Sequence, residues 1–321
     1  FGTFLTGGAE CECSVLSAIE AGYRLIDTAE AYGNEDAVGA AITKCGVARS
    51  DLFITTKVNF RSYENTAQTV EASLKKLNVD YLDLVLLHWP FGNYYAAWRE
   101  LERLHRDYPH ILIEGCAGGG GRFDGGMLYY TPQIWCSDNT DAMDRLRIQY
   151  GTSFCYPVCA VGAHVSAVPN EQTGRSVPLE TRGVAAMSGT FGYEMDLGRC
   201  TEEEKEIVRR QIRAFRERRE LLQTGDYYRL TSPFEAGPYT AWQQVSADRR
   251  QALVSVVTGA VRANAPFALL RLKGLDPDLD YRVNGGEELY PGDALMAAGY
   301  PLPSLSGDYQ AFQLHLEAER G

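Results

Sequence analysis

The chain has 321 residues, of which 45% are hydrophobic and 23% charged, and this ordinary globular composition excludes a disordered, collagen-like or coiled-coil protein. Its length allows one large domain, or one large domain with a small one. The net charge of -11 and the lack of a Lys/Arg-rich stripe argue against a nucleic-acid partner.

Targeting and redox signals are weak throughout the chain. No stretch approaches the ~18–20 consecutive apolar residues of a membrane span, and residues 1–12 have neither the basic nor the apolar region of a signal peptide. The 8 cysteines follow neither a zinc-binding nor a disulfide-framework spacing. We therefore expect a cytoplasmic protein with reduced cysteines, no bound metal and no membrane partner.

Apolar runs that end in polar residues recur along the first part of the chain and alternate with helical segments. They cover residues 2–5, 24–28, 52–58, 81–89, 111–117, 133–138, 158–165 and 184–189. Such runs between amphipathic helices are typical of βα units around a parallel sheet. Eight units in this order predict an α/β fold of the closed (β/α)8 TIM-barrel class.

After the last of these runs, the pattern of apolar and polar residues in the sequence changes. Thr201 and Glu204 form a capping-box pattern, which predicts a long charged helix to about Leu222. From about Gly225 short alternating strands follow, separated by turn sequences such as that at 284–286. This predicts a small antiparallel β-sandwich, so we expect a barrel over residues 1–222 and a β-sandwich over residues 223–321.

Four polar residues lie at the carboxyl ends of the first predicted strands, where barrel enzymes carry their chemistry. They are Asp27, Tyr32, Lys57 and His88. Together at the mouth of the predicted barrel, these side chains can act as an acid–base relay. In such a relay, a tyrosine whose pKa is lowered by lysine protonates a carbonyl oxygen while hydride arrives at the carbon.

The sequence around these four residues resembles the aldo-keto reductases over residues 1–104. The similar motifs lie at residues 22–29 (GYRLIDTA), 32–35 (YGNE), 53–57 (FITTK) and 83–90 (DLVLLHWP). The resemblance implies that Tyr32 is the general acid, tuned by Lys57 and Asp27, that His88 orients the carbonyl, and that NADPH is the cofactor. The residues with which that family binds NADPH are missing after residue 105, so the four residues are also explained as inherited scaffolding.

From residue 105 to 321 the chain resembles the microbial α-galactosidases of the melibiase and raffinose-hydrolysing kind. The similar motifs lie at residues 113–124 (IEGCAGGGGRFD), 132–141 (PQIWCSDNTD) and 162–166 (GAHVS). The resemblance implies an α-galactoside substrate, with Asp138 as the general acid/base and with Cys116 and Gly119 lining the sugar pocket. Trp135 offers the apolar face of a sugar a surface.

One part of the α-galactosidase pattern is missing. That family places its nucleophile, the Asp of a Lys-Trp-Asp motif, at the end of the fourth strand, where this chain has His88, and the motif occurs nowhere in the sequence. Asp27 is on the second predicted strand and Asp138 on the sixth, across the barrel, which leaves Asp27 at most a water-mediated role. Hydrolysis, if present, is therefore expected to be feeble.

The two resemblances meet near residues 98–105, inside a predicted helix. The product is a barrel of four units from each family, with 1–104 reductase-like and 105–222 galactosidase-like. Three functions stay open: an α-galactosidase-class glycoside hydrolase that needs no cofactor, an NADPH-dependent carbonyl reductase, and an inactive or weakly sugar-binding hybrid. The sequence does not decide whether the join is natural, designed or an artefact of gene assembly, nor does it give the oligomeric state.

Overall fold

The architecture comes from a computed structural model, which describes residues 1–89, 92–116, 123–235, 237–261, 268–303 and 306–319. The chain divides into two compact units. The first contains Phe1–Asp138 and Gly192–Arg209, and the second contains Asn139–Phe191 and Arg210–Gly321. Among the described residues, no helix has both the length and the apolar character needed to cross a membrane.

The strands β1 to β7 have three to six residues, and the last part of the chain contains both the shortest and the longest strands, of two and eight residues. They are β1 Leu25–Asp27, β2 Phe53–Val58, β3 Leu84–Leu87, β4 Glu114–Cys116, β5 Gln133–Trp135, β6 Gly162–Ser166, β7 Thr190–Glu194, β8 Asp226–Thr231, β9 Tyr239–Val245, β10 Gln251–Thr258, β11 Leu269–Leu270, β12 Asp280–Val283, β13 Leu289–Pro291, β14 Tyr300–Pro301 and β15 Ala311–Ala318.

The helices alternate with the strands up to β7. They are α1 Gly8–Glu20, α2 Glu35–Lys44, α3 Thr66–Leu77, α4 Tyr94–Asp107, α5 Gly125–Tyr130, α6 Ala142–Thr152, α7 Leu179–Ala186, α8 Glu202–Glu217, α9 Arg219–Thr224 and α10 Gly292–Ala297. The alternation of strands and helices confirms the predicted α/β class for this part of the chain.

The first unit is built on a parallel sheet in the order β1-β2-β3-β4-β5. Gly2 adds one parallel bridge to Asp27, so the predicted run at 2–5 contributes a single paired residue rather than a strand. β3 pairs in parallel with β4 through Leu87 and Gly115. The main-chain ladder therefore continues across the junction between the reductase-like and the galactosidase-like sequence.

Two of the predicted strands are displaced in the structure. Residues 158–160 form a 3₁₀ turn, and β6 begins only at Gly162. The predicted strand at 184–189 is wrong: Leu179–Ala186 is a helix, and the strand that follows it is Thr190–Glu194. The apolar run resembles a buried strand because α7 is buried along its whole length except at Glu180, so its sequence does not show the period of an amphipathic helix.

The second unit holds an antiparallel sheet in the order β13-β12-β15-β10-β9-β8, and a pair formed by β11 and β14. The central strand β10 is buried at every residue except its two ends. Asn284 and Gly285 have φ values of 51° and 68°, the left-handed conformation that turns β12 into β13. The antiparallel strands predicted after Gly225 are confirmed, whereas the division of the chain at 222/223 remains a prediction.

The charged helix after β7 begins as its sequence indicates. The amide of Glu204 donates to the hydroxyl of Thr201 at 3.2 Å, and the amide of Thr201 donates to the carboxylate of Glu204 at 2.9 Å. This reciprocal pair is the predicted capping box. The helix ends earlier than expected, since α8 stops at Glu217 and α9 starts separately at Arg219.

Candidate functional site

The parallel sheet of the first unit places polar residues from both halves of the sequence in rows on one face. Lys57 pairs with Leu86, and Glu114 pairs with Gln133. Because Leu87 pairs with Gly115, Leu86 is aligned with Glu114, and partners in a parallel ladder point to the same side. Lys57, Leu86, Glu114 and Gln133 thus form one row across four strands, which we call the charged row.

The next row on the same face lies two residues further along each strand, towards the carboxyl edge of the sheet. Cys116 pairs with Trp135, and His88 directly follows Leu87, so the same register aligns His88 with Cys116. We call His88, Cys116 and Trp135 the edge row. His88 comes from the reductase-like half and the other two from the galactosidase-like half, so the sheet brings predicted site residues of both families side by side.

The four residues of the predicted acid–base relay are assembled around Lys57. Its ammonium donates to Oδ1 of Asp27 at 2.5 Å and to the carbonyl of Thr28 at 2.9 Å. It also lies 4.9 Å from the centroid of the Tyr32 ring. The rings of Tyr32 and His88 are 5.6 Å apart in an edge-to-face arrangement. Asp27, Tyr32, Lys57 and His88 therefore form one cluster.

The electrostatics of this cluster differ from the sequence-based expectation for Tyr32. Burial raises the pKa of Tyr32 to about 12, and the nearby Lys57 opposes this rise without cancelling it. Lys57 thus acts in the expected direction, but burial has the larger effect on the pKa of Tyr32. Burial also lowers the pKa of Lys57, but the charges of and hydrogen bonds with Asp27 and Tyr32 together outweigh it and keep the pKa of Lys57 above its ordinary value. Tyr32 is a protonated donor and Lys57 a fixed cation at neutral pH.

His88 is neutral at physiological pH. Its burial lowers the pKa of the imidazole to about 4, and the positive charge of Lys57 acts in the same direction. The side chain is nine-tenths buried, and its Nδ1 has no hydrogen-bond partner within the part of the chain that the structure describes. An unmet buried ring nitrogen is costly, so this atom is suited to a polar group of a ligand.

The predicted sugar-contacting residues lie on β4 and β5 and just after them. Cys116 and Trp135 are half-buried neighbours, and Asp138 is exposed. The indole Nε1 of Trp135 donates to Oδ1 of Asp138 at 3.1 Å, which ties the predicted acid/base to the predicted sugar platform. Gly119, the remaining predicted contact, lies outside the described residues.

Glu114 and Gln133 are site residues that the sequence reasoning missed. Nε2 of Gln133 donates to Oε2 of Glu114 at 2.6 Å. Burial raises the pKa of Glu114 to about 7, and the negative charge of Asp27 raises it further against the effect of Lys57. The signal in the sequence was a single carboxylate between Ile113 and Gly115, inside a run that otherwise reads as a buried strand.

Family models match both parts of the chain. Residues 10–107 match the aldo/keto reductase family, residues 90–225 match melibiase, and residues 239–316 match the glycosyl hydrolase family 36 C-terminal domain. The resemblance of the first part to aldo-keto reductases and of the rest to microbial α-galactosidases is thus confirmed.

Several curated relatives are α-galactosidases. Alpha-galactosidase AgaA of Geobacillus stearothermophilus is 53% identical over 223 residues, which are 70% of this chain and 30% of the relative. The bifunctional alpha-galactosidase/sucrose kinase AgaSK of Mediterraneibacter gnavus is 54% identical over 213 residues, which are 66% of this chain and 23% of the relative. The chain spans about a quarter to a third of the length of these relatives.

Solved structures of the same kind match nearly the whole chain. The family 36 α-galactosidase AgaA of Geobacillus stearothermophilus has a TM-score of 0.83 at 34% identity, over 97% of this chain and 53% of that one. The α-galactosidase of Lactobacillus brevis has a TM-score of 0.86 at 26% identity, over 98% of this chain and 53% of that one. The similarity in fold therefore extends beyond the galactosidase-like sequence.

Proposed function

We propose that the chain is a glycoside hydrolase of the α-galactosidase class with an incomplete catalytic site. The observation that carries the proposal is the contact of Trp135 with Asp138 beside Cys116, inside the segment similar to melibiase. It joins an apolar surface for a sugar ring to a carboxyl group that can protonate a leaving oxygen. The substrate class is α-galactosides such as raffinose, which is bound in a solved structure of a relative.

The proton donor in this proposal is Asp138. An exposed carboxyl held by the Trp135 indole can give its proton to the glycosidic oxygen and recover it from solvent. Cys116 and Gly119 would contact the sugar hydroxyls.

The missing component is the nucleophile. His88 lies where the family carries a carboxylate, and its lowered pKa keeps it neutral. A neutral imidazole cannot balance the positive charge of an oxocarbenium-like transition state as a carboxylate does. Turnover is therefore expected to be well below the ~10 s⁻¹ of a median enzyme.

The proposal includes the architecture of the whole catalytic region. We infer a hybrid barrel of four reductase-like and four galactosidase-like units over residues 1–222, followed by a β-sandwich domain over 223–321. The β3–β4 pairing across the junction supports this arrangement, because it continues one parallel sheet from the first family into the second.

The alternative function is NADPH-dependent carbonyl reduction, favoured by the assembled cluster of Asp27, Tyr32, Lys57 and His88. The cofactor carries phosphates, which need Lys, Arg or helix N-termini around them. On the galactosidase-like side the sheet presents Glu114, and Asp138 follows β5. Carboxylates repel phosphates, so the residues present do not fit the cofactor and we derive no hydride-transfer step.

The test of the hydrolase proposal compares two substrates in the unchanged protein and three variants, Asp138→Asn, Asp27→Asn and Asp80→Asn. We expect slow release of nitrophenol from p-nitrophenyl α-galactoside and slower release of galactose from raffinose. Asp138→Asn should lower the raffinose rate more than the aryl rate, because nitrophenol leaves with little acid assistance. Asp80→Asn, an exposed surface aspartate, is the matched control and should change neither rate.

Three outcomes would contradict the proposal. Equal rates for Asp138→Asn and the unchanged protein would remove Asp138 from the reaction. Fast turnover lost in Asp27→Asn would mean that Asp27 takes the nucleophile or base role. Quenching of tryptophan fluorescence by added NADPH would favour the reductase alternative.

A further inference from the structure

The charged row and the edge row form an acid–base surface that neither resemblance assigns as a whole. Tyr32 and Lys57 stand at the β2 end of the surface and Glu114 at β4, while Leu86 of β3 between them is buried. The main chains of β2 and β4 are two strand spacings of ~4.8 Å apart, and Tyr32, Glu114 and Trp135 are each partly exposed, so a hexose would contact these three side chains.

We propose that this surface binds a reducing hexose and catalyses the opening and reclosure of its hemiacetal ring, the interconversion of α and β anomers. Glu114 is the base and Tyr32 is the acid. Lys57 is a positioning residue, which holds a positive charge beside the phenol. The reaction needs no nicotinamide and no nucleophile, the components that the two parent patterns lack here.

The proton transfers balance without any co-reactant. The carboxylate of Glu114 removes the proton of the anomeric hydroxyl, the C1–O5 bond breaks with its electron pair on O5, and the phenol of Tyr32 protonates O5. C1 becomes an aldehyde carbon, and rotation about C1–C2 exposes its other face. The same transfers in reverse close the ring as the other anomer and restore both side chains.

The positions of the charged groups favour these roles. The charged groups that act on Glu114 are Asp27, Lys57 and Glu194, and the resulting pKa of about 7 lets it gain and lose a proton near neutrality. Lys57 lies 4.9 Å from the Tyr32 ring centroid, where its positive charge stabilises a transient phenolate.

The sugar itself would be held by the edge row. Trp135 provides an apolar surface, and the unpartnered Nδ1 of the buried His88 provides a hydrogen-bonding position for a hydroxyl. The inference shares this platform with the proposed hydrolase but uses a different proton donor, so the two can fail separately.

The experiment is polarimetry of freshly dissolved α-D-galactose with and without the full chain. We expect a protein-dependent rate that rises with pH around 7 as Glu114 ionises. Glu114→Gln and Tyr32→Phe should each lower this rate by about 100-fold or more, the order that general acid–base catalysis contributes. Methyl α-D-galactoside, whose ring cannot open, should inhibit competitively.

Matched controls separate chemistry from folding. Glu71→Gln and Tyr129→Phe alter exposed side chains of the same types and should keep the full rate. Glu114→Gln and Tyr32→Phe are also assayed with p-nitrophenyl α-galactoside, and a loss of mutarotation alone separates this inference from the proposed hydrolase. Each variant is checked by thermal melting; if Glu114→Gln does not fold, Glu114→Asp should fold and show a displaced pH profile.

A rate equal to that of buffer with the control proteins would overturn the inference. So would an unchanged rate in either Glu114→Gln or Tyr32→Phe, or a rate that depends on Asp138 alone. An acceleration without inhibition by methyl α-D-galactoside would mean that no sugar site exists and would contradict the proposal as well.

Discussion

Removal of the Lys57 ammonium should destabilise the first unit strongly. Lys57 and Asp27 form an ion pair at 2.5 Å, with side chains that are 9% and 25% exposed. Breaking a buried pair by removing one partner costs about 3–5 kcal/mol, because the remaining charge is left without compensation. Asp27 keeps some access to water, so Lys57→Met is expected to cost about 3 kcal/mol, at the low end of that range.

The double variant makes this reasoning specific. Lys57→Met with Asp27→Asn removes both charges, so it should be less destabilised than the sum of the two single variants by about 1–3 kcal/mol. Urea unfolding followed by circular dichroism gives the free energies. Lys44→Met removes the exposed partner of Glu12 and should cost less than about 1 kcal/mol. A loss for Lys57→Met as small as that for Lys44→Met, or strict additivity in the double variant, would refute the argument.

Three further predictions concern packing, pH and capping. A Cβ on Gly39 of α2 would lie 2.5 Å from a main-chain oxygen of α3, so Gly39→Ala should destabilise the protein by about 1–3 kcal/mol. Gly151 lies in a helix with open space around it, so Gly151→Ala should stabilise the protein by about 0.5–1 kcal/mol. Thermal melting measures both effects. The folded-state pKa of Glu114 is raised from 4.5 to about 7, so its contribution to stability is present below pH 4.5 and lost as the pH rises to 7. The free energy of unfolding of Glu114→Gln should therefore equal that of the unchanged protein at pH 4.5 and exceed it by about 3 kcal/mol at pH 8. Equal urea midpoints of the two proteins at both pH values would contradict the assignment. Thr201→Ala should cost about 1 kcal/mol by loss of the cap, and Thr201→Ser should restore most of it.

Much of the parallel sheet could be predicted because its strands carry strong local signals. The strands β2 and β3 lie within the predicted runs 52–58 and 81–89, since their β-branched and apolar residues are buried on both faces. Helix α3 ends at Leu77, where the amphipathic pattern ends. Asn78 follows with a φ of 52°, the left-handed conformation that closes a helix.

The sequence-based predictions fail where tertiary packing determines the local structure or the pKa. The buried helix α7 and a buried strand have equally apolar sequences, so the run at 184–189 does not distinguish them. The net pKa of Tyr32 depends on the balance between burial and the charge of Lys57, and the sequence contains only the second of these.

The composite nature of the candidate site also follows from three-dimensional register. His88 and Cys116 are 28 positions apart and come from motifs of different families. Only the pairing of Leu87 with Gly115 reveals that they share a row. Glu114 was missed for the same reason, since its charged neighbours Asp27 and Lys57 belong to strands far away in the chain.

The Leu87–Gly115 pairing has a consequence for how such chains can be assembled. The ladder between β3 and β4 consists of amide and carbonyl groups, which are the same whatever side chains the strands carry. A junction of this kind works as an exchange point: segments with a matching strand edge can be substituted while the row-by-row alignment is kept. Libraries that vary the segment before Glu114 would then sample new neighbours for Glu114, Cys116 and Trp135 with the galactosidase-like scaffold held constant.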